Sequence, residues 1–489
     1  MSIPSSTSAS TPAEPAKVTG AEIDASCRWP LLLLFATAAL WLAGSALFSL
    51  LVAIKLHKAD ILADCPWLTL GRLRPAVNNA FLYGFATPVA MGITLWLLCR
   101  LGRVKLAFQW PMLIVCKLWN IGVFVGIWAI LAGGSTGFEW LEMPRYASGI
   151  LFVAFVLFGL CAVGTFSMRR AGELYPSQWF LLGAIFWMAW SYSAANYLLV
   201  FEPVRGTFQS VINAWFTGNL INLWLAPVAL AAIYYFLPLQ IGQPLYSREL
   251  AAFAFWTTLF LGSFAGLSSL VGAPVPRWIG SAGTAGYLCL LAPLIANAMN
   301  WHLTSKGNCS AWKHDLVLRF LATGAVAYLA LGLLNLVLSV SRVSAVTSLT
   351  YAVVAKNYLA WYGFVAMVLL GCVYAIVPRL TQVAWPSEKL IRVHFTCSAL
   401  GAALIVLALL AGGVIQGFNL ANPSVAFLDV VRKTIPFIGI STLGILLFLI
   451  GQVVFLLHLG QVLRACLQPF AQAICAECCG APLKAGGKS

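Results

Sequence analysis

Five histidines are the residues of this chain best suited to hold iron or copper: His57, His302, His314, His394 and His458. Neutral imidazole ligates both metals, and haem iron in a low-spin site takes two axial ligands. None of the five lies at mid-depth of an apolar run. His57 and His394 fall in loop or helix-start segments, and His314 in a polar loop. His302 and His458 fall at helix ends, where water-facing imidazoles are expected. Met91 and Met367 lie inside apolar runs, where a thioether more often fills a packing gap than ligates iron. Cys475, Cys478 and Cys479 form a CAECC tail. A C-x-x-C pair can serve redox or metal chemistry, but a c-type haem attachment needs His directly after the second Cys. Here that residue is Cys479, so the tail reads as reduced, inert thiols. Cys99, Cys161, Cys289 and Cys397, within or at the ends of apolar runs, read as small buried hydrophobes.

Two charges stand inside apolar runs, Lys117 and Lys356. A central lysine costs roughly 2.5–3.5 kcal/mol on insertion scales. Each can snorkel toward a helix end, or mark a proton or anion site inside the bundle. None of the 14 carboxylates lies centrally in a run; Asp429 precedes the last one. A buried chain of Asp or Glu is the usual mark of a proton relay, and its absence argues against one.

The elements that must position these residues are helices in a bilayer. The chain is 61% hydrophobic and only 9% charged, against roughly 25% charged in an ordinary soluble domain. That composition cannot coat a water-soluble globule. The net charge of +15 fits cytoplasmic loops facing anionic lipid headgroups better than nucleic-acid binding. The 19 Trp fit interfacial anchoring. Residues 1–28 lack periodicity and any apolar leader core, and read as a disordered cytoplasmic tail. Twelve apolar runs follow, from Trp29–Ile54 to Ile435–Leu459. The expected fold is all-α: about twelve transmembrane helices in one bundle over residues 29–460, with residues 461–489 a second cytoplasmic tail. Short loops make neighbours antiparallel. Lys and Arg favour the side holding both termini, which places the termini in the cytoplasm.

Several motifs then share order and spacing with one family. They are Arg72-x-Arg74-Pro75 before the second run, Tyr234-Tyr235, Pro238, Pro244, Tyr246 and Ser247 after the sixth, LVLRFL opening the ninth, VYAIVPRL closing the tenth, and LIRVHF opening the eleventh. Over roughly residues 29–460 the chain resembles the catalytic subunit I of cbb3-type cytochrome c oxidases, a branch of the haem–copper oxidases. The resemblance implies a twelve-helix subunit whose haems and copper are held by histidines. The haem-ligand position after Arg-x-Arg-Pro is Val77 here. The copper-ligand position after Gly218 is Asn219. The adjacent histidine pair before Pro276-x-Trp278 falls at Ser268 and Ser269, and the active-site tyrosine six residues earlier at Gly262. The His-x-His of the tenth helix, counted back from Trp361–Phe364, falls at Val353 and Ala355.

Val and Ala have no donor atoms, Ser is a poor ligand, and Asn219 would bind copper weakly. No haem or copper is therefore expected, and no catalytic residue is assigned. The space can be filled by large side chains, or survive as a cavity for lipid or quinone. Three functions follow. The first is a non-catalytic subunit I-like protein of the inner membrane. It would act as a structural or accessory subunit of a respiratory complex with membrane-anchored c-type cytochromes. The second is a working oxidase with displaced ligands. The third is a repurposed lipid- or ligand-binding transporter or sensor, in which Lys117, Lys356 and Asn219 are the residues to suspect.

Overall fold

The computed structural model describes residues 18–308 and 311–478. Twelve long helices make up its bundle: α1 Gly20–His57, α2 Leu70–Gly102, α3 Gln109–Ala132, α4 Arg145–Ser167, α5 Pro176–Asn196 and α6 Phe208–Ile241. The second half comprises α7 Arg248–Leu270, α8 Arg277–Ser305, α9 Leu316–Ser339, α10 Tyr351–Thr381, α11 Glu388–Leu420 and α12 Phe427–Cys478. No strand occurs among the described residues. Eleven of the twelve are long and apolar enough to cross a bilayer. The exception is α5, whose Gln, Ser and Asn side chains dilute its apolar character, although it packs in the bundle against α4, α6 and α7.

Burial divides the helices into two classes. The apolar stretches of α2 and α10 are buried throughout and that of α6 nearly so, whereas the others bury half or less. Three helices thus form the centre, and the rest show one face to lipid with Trp110, Trp128, Trp190, Trp256 and Trp278 exposed. Each central helix contains a π-helical stretch: Ala80–Ala86 in α2, Leu220–Leu225 in α6 and Leu359–Ala366 in α10. Such insertions are rare and cluster at functional sites. In α2 and α10 they carry the same Tyr-Gly-Phe triplet, at residues 83–85 and 362–364.

Both ends of the bundle correct the expected boundaries. Residues 20–28 are helical, because Thr19 and Glu22 form a reciprocal capping box at 3.3 and 2.9 Å. Asp24, in the second turn, is buried; Arg100 Nη2 donates to it at 2.7 Å and Trp96 Nε1 at 2.9 Å. At the other end α12 does not stop near residue 460 but continues to Cys478. The side chains of Cys475 and Cys478, and all of Cys479, lie outside the described residues.

Candidate functional site

Two cavities lie on opposite sides of α10. The larger, about 280 Å³, is walled by α1, α2, α10, α11 and α12. Val77 and Val353 line it, with Tyr358 and Trp361 from the next turns of α10. Arg74, Asn78 and Glu139 bring polar groups to it. The smaller, about 70 Å³, lies among α6, α7, α8, α9 and α10. Gly218, Ser268, Ser269 and Lys356 line it, and a further cavity of about 40 Å³ adjoins it across Asn222 and Tyr287. Asn357 borders both the large and the small cavity. Trp140 and Trp361, with ring centres 5.4 Å apart, stand between them, and Phe81 stacks on Trp361 at 5.5 Å.

Glycines explain why the second space is small. A Cβ on Gly218 would meet Gly266 Cα at 2.5 Å, and one on Gly283 would land on the backbone of Ser268. With no side chain at Gly218, Gly266 and Gly283, α6, α7 and α8 touch backbone to backbone around Asn219, Ser268 and Ser269.

The segment between α3 and α4 divides the cavities from outside the membrane-spanning helices. Trp140 is held there in the left-handed region, φ 64°, and its carbonyl accepts from Tyr83 Oη at 2.7 Å. Glu142 is buried, and its carboxylate accepts from Asn79 Nδ2 at 2.8 Å. Burial pushes this carboxyl up to about 7, against the opposing effect of the Asn79 hydrogen bond. Burial also raises the Glu139 carboxyl, and the Lys356 ammonium across the partition pulls it back.

The sequence-derived positions meet different fates. Val77 and Val353 share the large cavity, and Ser268 and Ser269 the small one. Asn219 is buried beside Gly218, and neither its Nδ2 nor its Oδ1 has a partner. Ala355 is buried but borders neither cavity, and Gly262 packs toward Leu223. On the cavity-facing sides of α10 stand Tyr358 and Lys356 instead. Lys117 is exposed on the outer face of α3, as snorkelling requires. Lys356 lines the small cavity.

His458 is not the water-facing residue expected of a helix end. It is fully buried because α12 runs on past it, and it accepts from Ser387 N at 3.3 Å. His394 is buried too; it bonds Tyr374 Oη at 2.9 Å and contacts Gln452 at 3.4 Å. This network ties α10, α11 and α12 together, and neither histidine lines either cavity. His57, His302 and His314 are exposed.

The donor sets can be tested against haem and copper. Apart from phenols, the large cavity presents a guanidinium, a carboxylate, amides and hydroxyls; the small one presents an amine, amides and hydroxyls. Neither holds an imidazole or a thiolate, and no group of three His, Cys, Asp or Glu suited to a metal occurs among the described residues. These residues do not fit a low-spin haem with two axial nitrogens or a copper held by imidazoles.

The fold and the cavity positions define a class, the polytopic helical subunit built around three central helices with two interior sites. The family pattern for "Cytochrome C and Quinol oxidase polypeptide I" matches residues 30–447, and the chain belongs to that family. It is 26% identical over 432 residues to "Cytochrome c oxidase subunit 1 homolog" of Azorhizobium caulinodans, covering 85% of this chain and 78% of that one. It is 27% identical to "Cytochrome c oxidase subunit 1 homolog, bacteroid" of Bradyrhizobium diazoefficiens, covering 87% and 80%. It is 22% identical to the "Cbb3-type cytochrome c oxidase subunit CcoN1" of Stutzerimonas stutzeri, covering 82% and 88%. Its fold matches that of a heme-copper terminal oxidase solved as a dimer, with TM-score 0.70 at 14% identity, over 89% of this chain and 84% of that one.

Proposed function

We propose that this chain is a non-catalytic member of the cytochrome c oxidase subunit I family. It acts as a structural or accessory subunit of a respiratory electron-transport complex in the bacterial inner membrane. Its partners are membrane-anchored c-type cytochrome subunits, and both termini face the cytoplasm. The observation that carries this reading is the absence of any imidazole from the lining of the two cavities, in a bundle that keeps the family's fold. Val77 and Val353 offer iron no donor. Asn219, Ser268 and Ser269 offer copper only weak neutral oxygens and an amide.

The test is to purify the tagged chain from its native membranes, identify the co-purifying subunits, and record haem spectra of the complex and of the isolated chain. Stable association with c-type cytochromes, and haem confined to them, is expected. Haem b on the isolated chain, together with oxygen consumption, would instead establish a working oxidase with displaced ligands.

A cavity of 280 Å³ with a charged mouth and apolar walls also favours a second reading, occupancy by a lipid or quinone. A small molecule extracted by organic solvent in fixed ratio to the chain, and lost in Val353→Trp, would support it.

A further inference from the structure

We propose that the small cavity among α6, α7, α8, α9 and α10 is a site for a monovalent inorganic anion, of chloride or nitrate size, held by Lys356, Trp140 and Asn222. The sequence singles out Lys356 as a charge inside a span, and an accessory-subunit role makes no use of it. Lys356 lines the cavity, and no carboxylate does. It makes no hydrogen bond or ion pair with any described residue. Glu139, the acid whose charge reaches it, lies on the lining of the other cavity.

Two further groups give the site its sign. The Nε1–H of Trp140 is buried without an acceptor, and the Nδ2–H of Asn222 has only the Tyr287 hydroxyl near it, beyond good hydrogen-bond geometry; both residues line the same cavity. A buried donor left unpaired is costly, and Lys356, half-buried, has its nearest acid only across the partition. A positive charge and unpaired N–H donors on one lining favour an anion, because a cation there would be repelled by Lys356 and would leave those donors unpaired. The volume agrees. About 70 Å³ is several times the roughly 10–15 Å³ that one water needs, and too small for a nucleotide or a lipid headgroup. One lysine balances one negative charge.

The assignment rests on the reading that no copper occupies this region, so metal content is measured on the same samples. The purified full chain in non-ionic detergent is moved into gluconate, an anion too large to enter. Its thermal unfolding is then followed against chloride, and separately nitrate, at constant ionic strength. A saturable rise in melting temperature is expected for the wild type. Lys356→Met should lose that rise, Lys356→Arg should keep it, and Trp140→Phe should weaken it about tenfold through loss of one charge-assisted hydrogen bond. If Lys356→Met does not fold, the wild type and Trp140→Phe still decide the matter by calorimetric titration with chloride.

No saturable response in the wild type would overturn the proposal. So would equal responses in the wild type, Lys356→Met and Trp140→Phe, which would put the anion elsewhere. Stoichiometric copper would overturn the accessory-subunit reading. A metal-free chain indifferent to chloride and nitrate would overturn only the anion site.

Discussion

The two cavities flanking α10 differ in size and in how their walls meet. Beside Val77 and Val353 about 280 Å³ remains open. Beside Asn219, Ser268 and Ser269 only about 70 Å³ remains, with about 40 Å³ adjoining. The walls account for the difference. The larger space is lined by side chains from five helices, Tyr351, Tyr358 and Trp361 among them, and by no glycine. The smaller is lined by Gly218 and Gly266, which with Gly283 against the Ser268 backbone let three helices meet. The larger space stays propped open by side-chain volume, whereas helix approach closes the smaller one, leaving a polar remnant that contains a lysine.

The contrast can be broken most directly at the glycines. Gly218→Val places a side chain on the backbone of α7, where no rotamer change relieves it. It should cost about 3 kcal/mol or more, read as loss of monodisperse protein on size exclusion and a lower melting temperature. If Gly218→Val folds normally, helix approach does not close the small cavity.

The partition between the cavities offers a pH test. Glu142 is protonated up to about pH 7 in the folded chain, against about 4.5 for a free carboxyl. The folded state therefore holds the extra proton between those values. Its stability falls as pH rises from about 4.5 to about 7 and levels off beyond. Glu142→Gln keeps the shape and should flatten that slope in thermal unfolding; an unchanged slope would assign the pH dependence to another group.

Restoring imidazoles sharpens the comparison further. Val77→His combined with Val353→His, or with Tyr358→His, places two nitrogens on the lining of the open cavity. Haem absorbance at partial occupancy is expected after expression with added haem. Asn219→His combined with Ser268→His should gain none, because the glycine contacts leave no room for the ring. Equal haem in both would show that the cavities differ less than their volumes suggest. The smallest effect is expected for Val353→Phe, which adds apolar volume to open space and should shift stability by less than about 1 kcal/mol. A large loss in unfolding experiments would mean that the open cavity is needed for folding.

Much of the bundle could be read from its sequence, because each crossing helix is an apolar run and bilayer thickness sets its length. All twelve runs correspond to long helices. What escaped depended on distant partners. Asp24 looks like part of a polar tail until Arg100, 76 positions away, is seen to neutralise it. The Thr19-x-x-Glu22 capping box was a local signal for that helix start, and it was visible in the sequence. His458 looks like a helix end because the apolar run fades there, but α12 continues and His458 packs within 4.8 Å of Trp385. For the candidate site, Val77 and the two serines, singled out through the family resemblance, line the cavities. The tenth helix was harder to read. Successive residues of a helix point about 100° apart, so a small error in register moves a side chain off its cavity. Ala355 borders neither space, whereas Lys356 and Tyr358 do. The π-helical stretch of α10 has no simple sequence signature, although the Tyr-Gly-Phe triplet shared with α2 hints at it.

We propose that neither interior cavity holds a redox centre. The most direct measurement is the ratio of haem and copper to polypeptide in chain freed of its partners, by haemochrome spectrum and elemental analysis. The expected ratio is near zero for both. One or two haems per chain, or one copper, would contradict it.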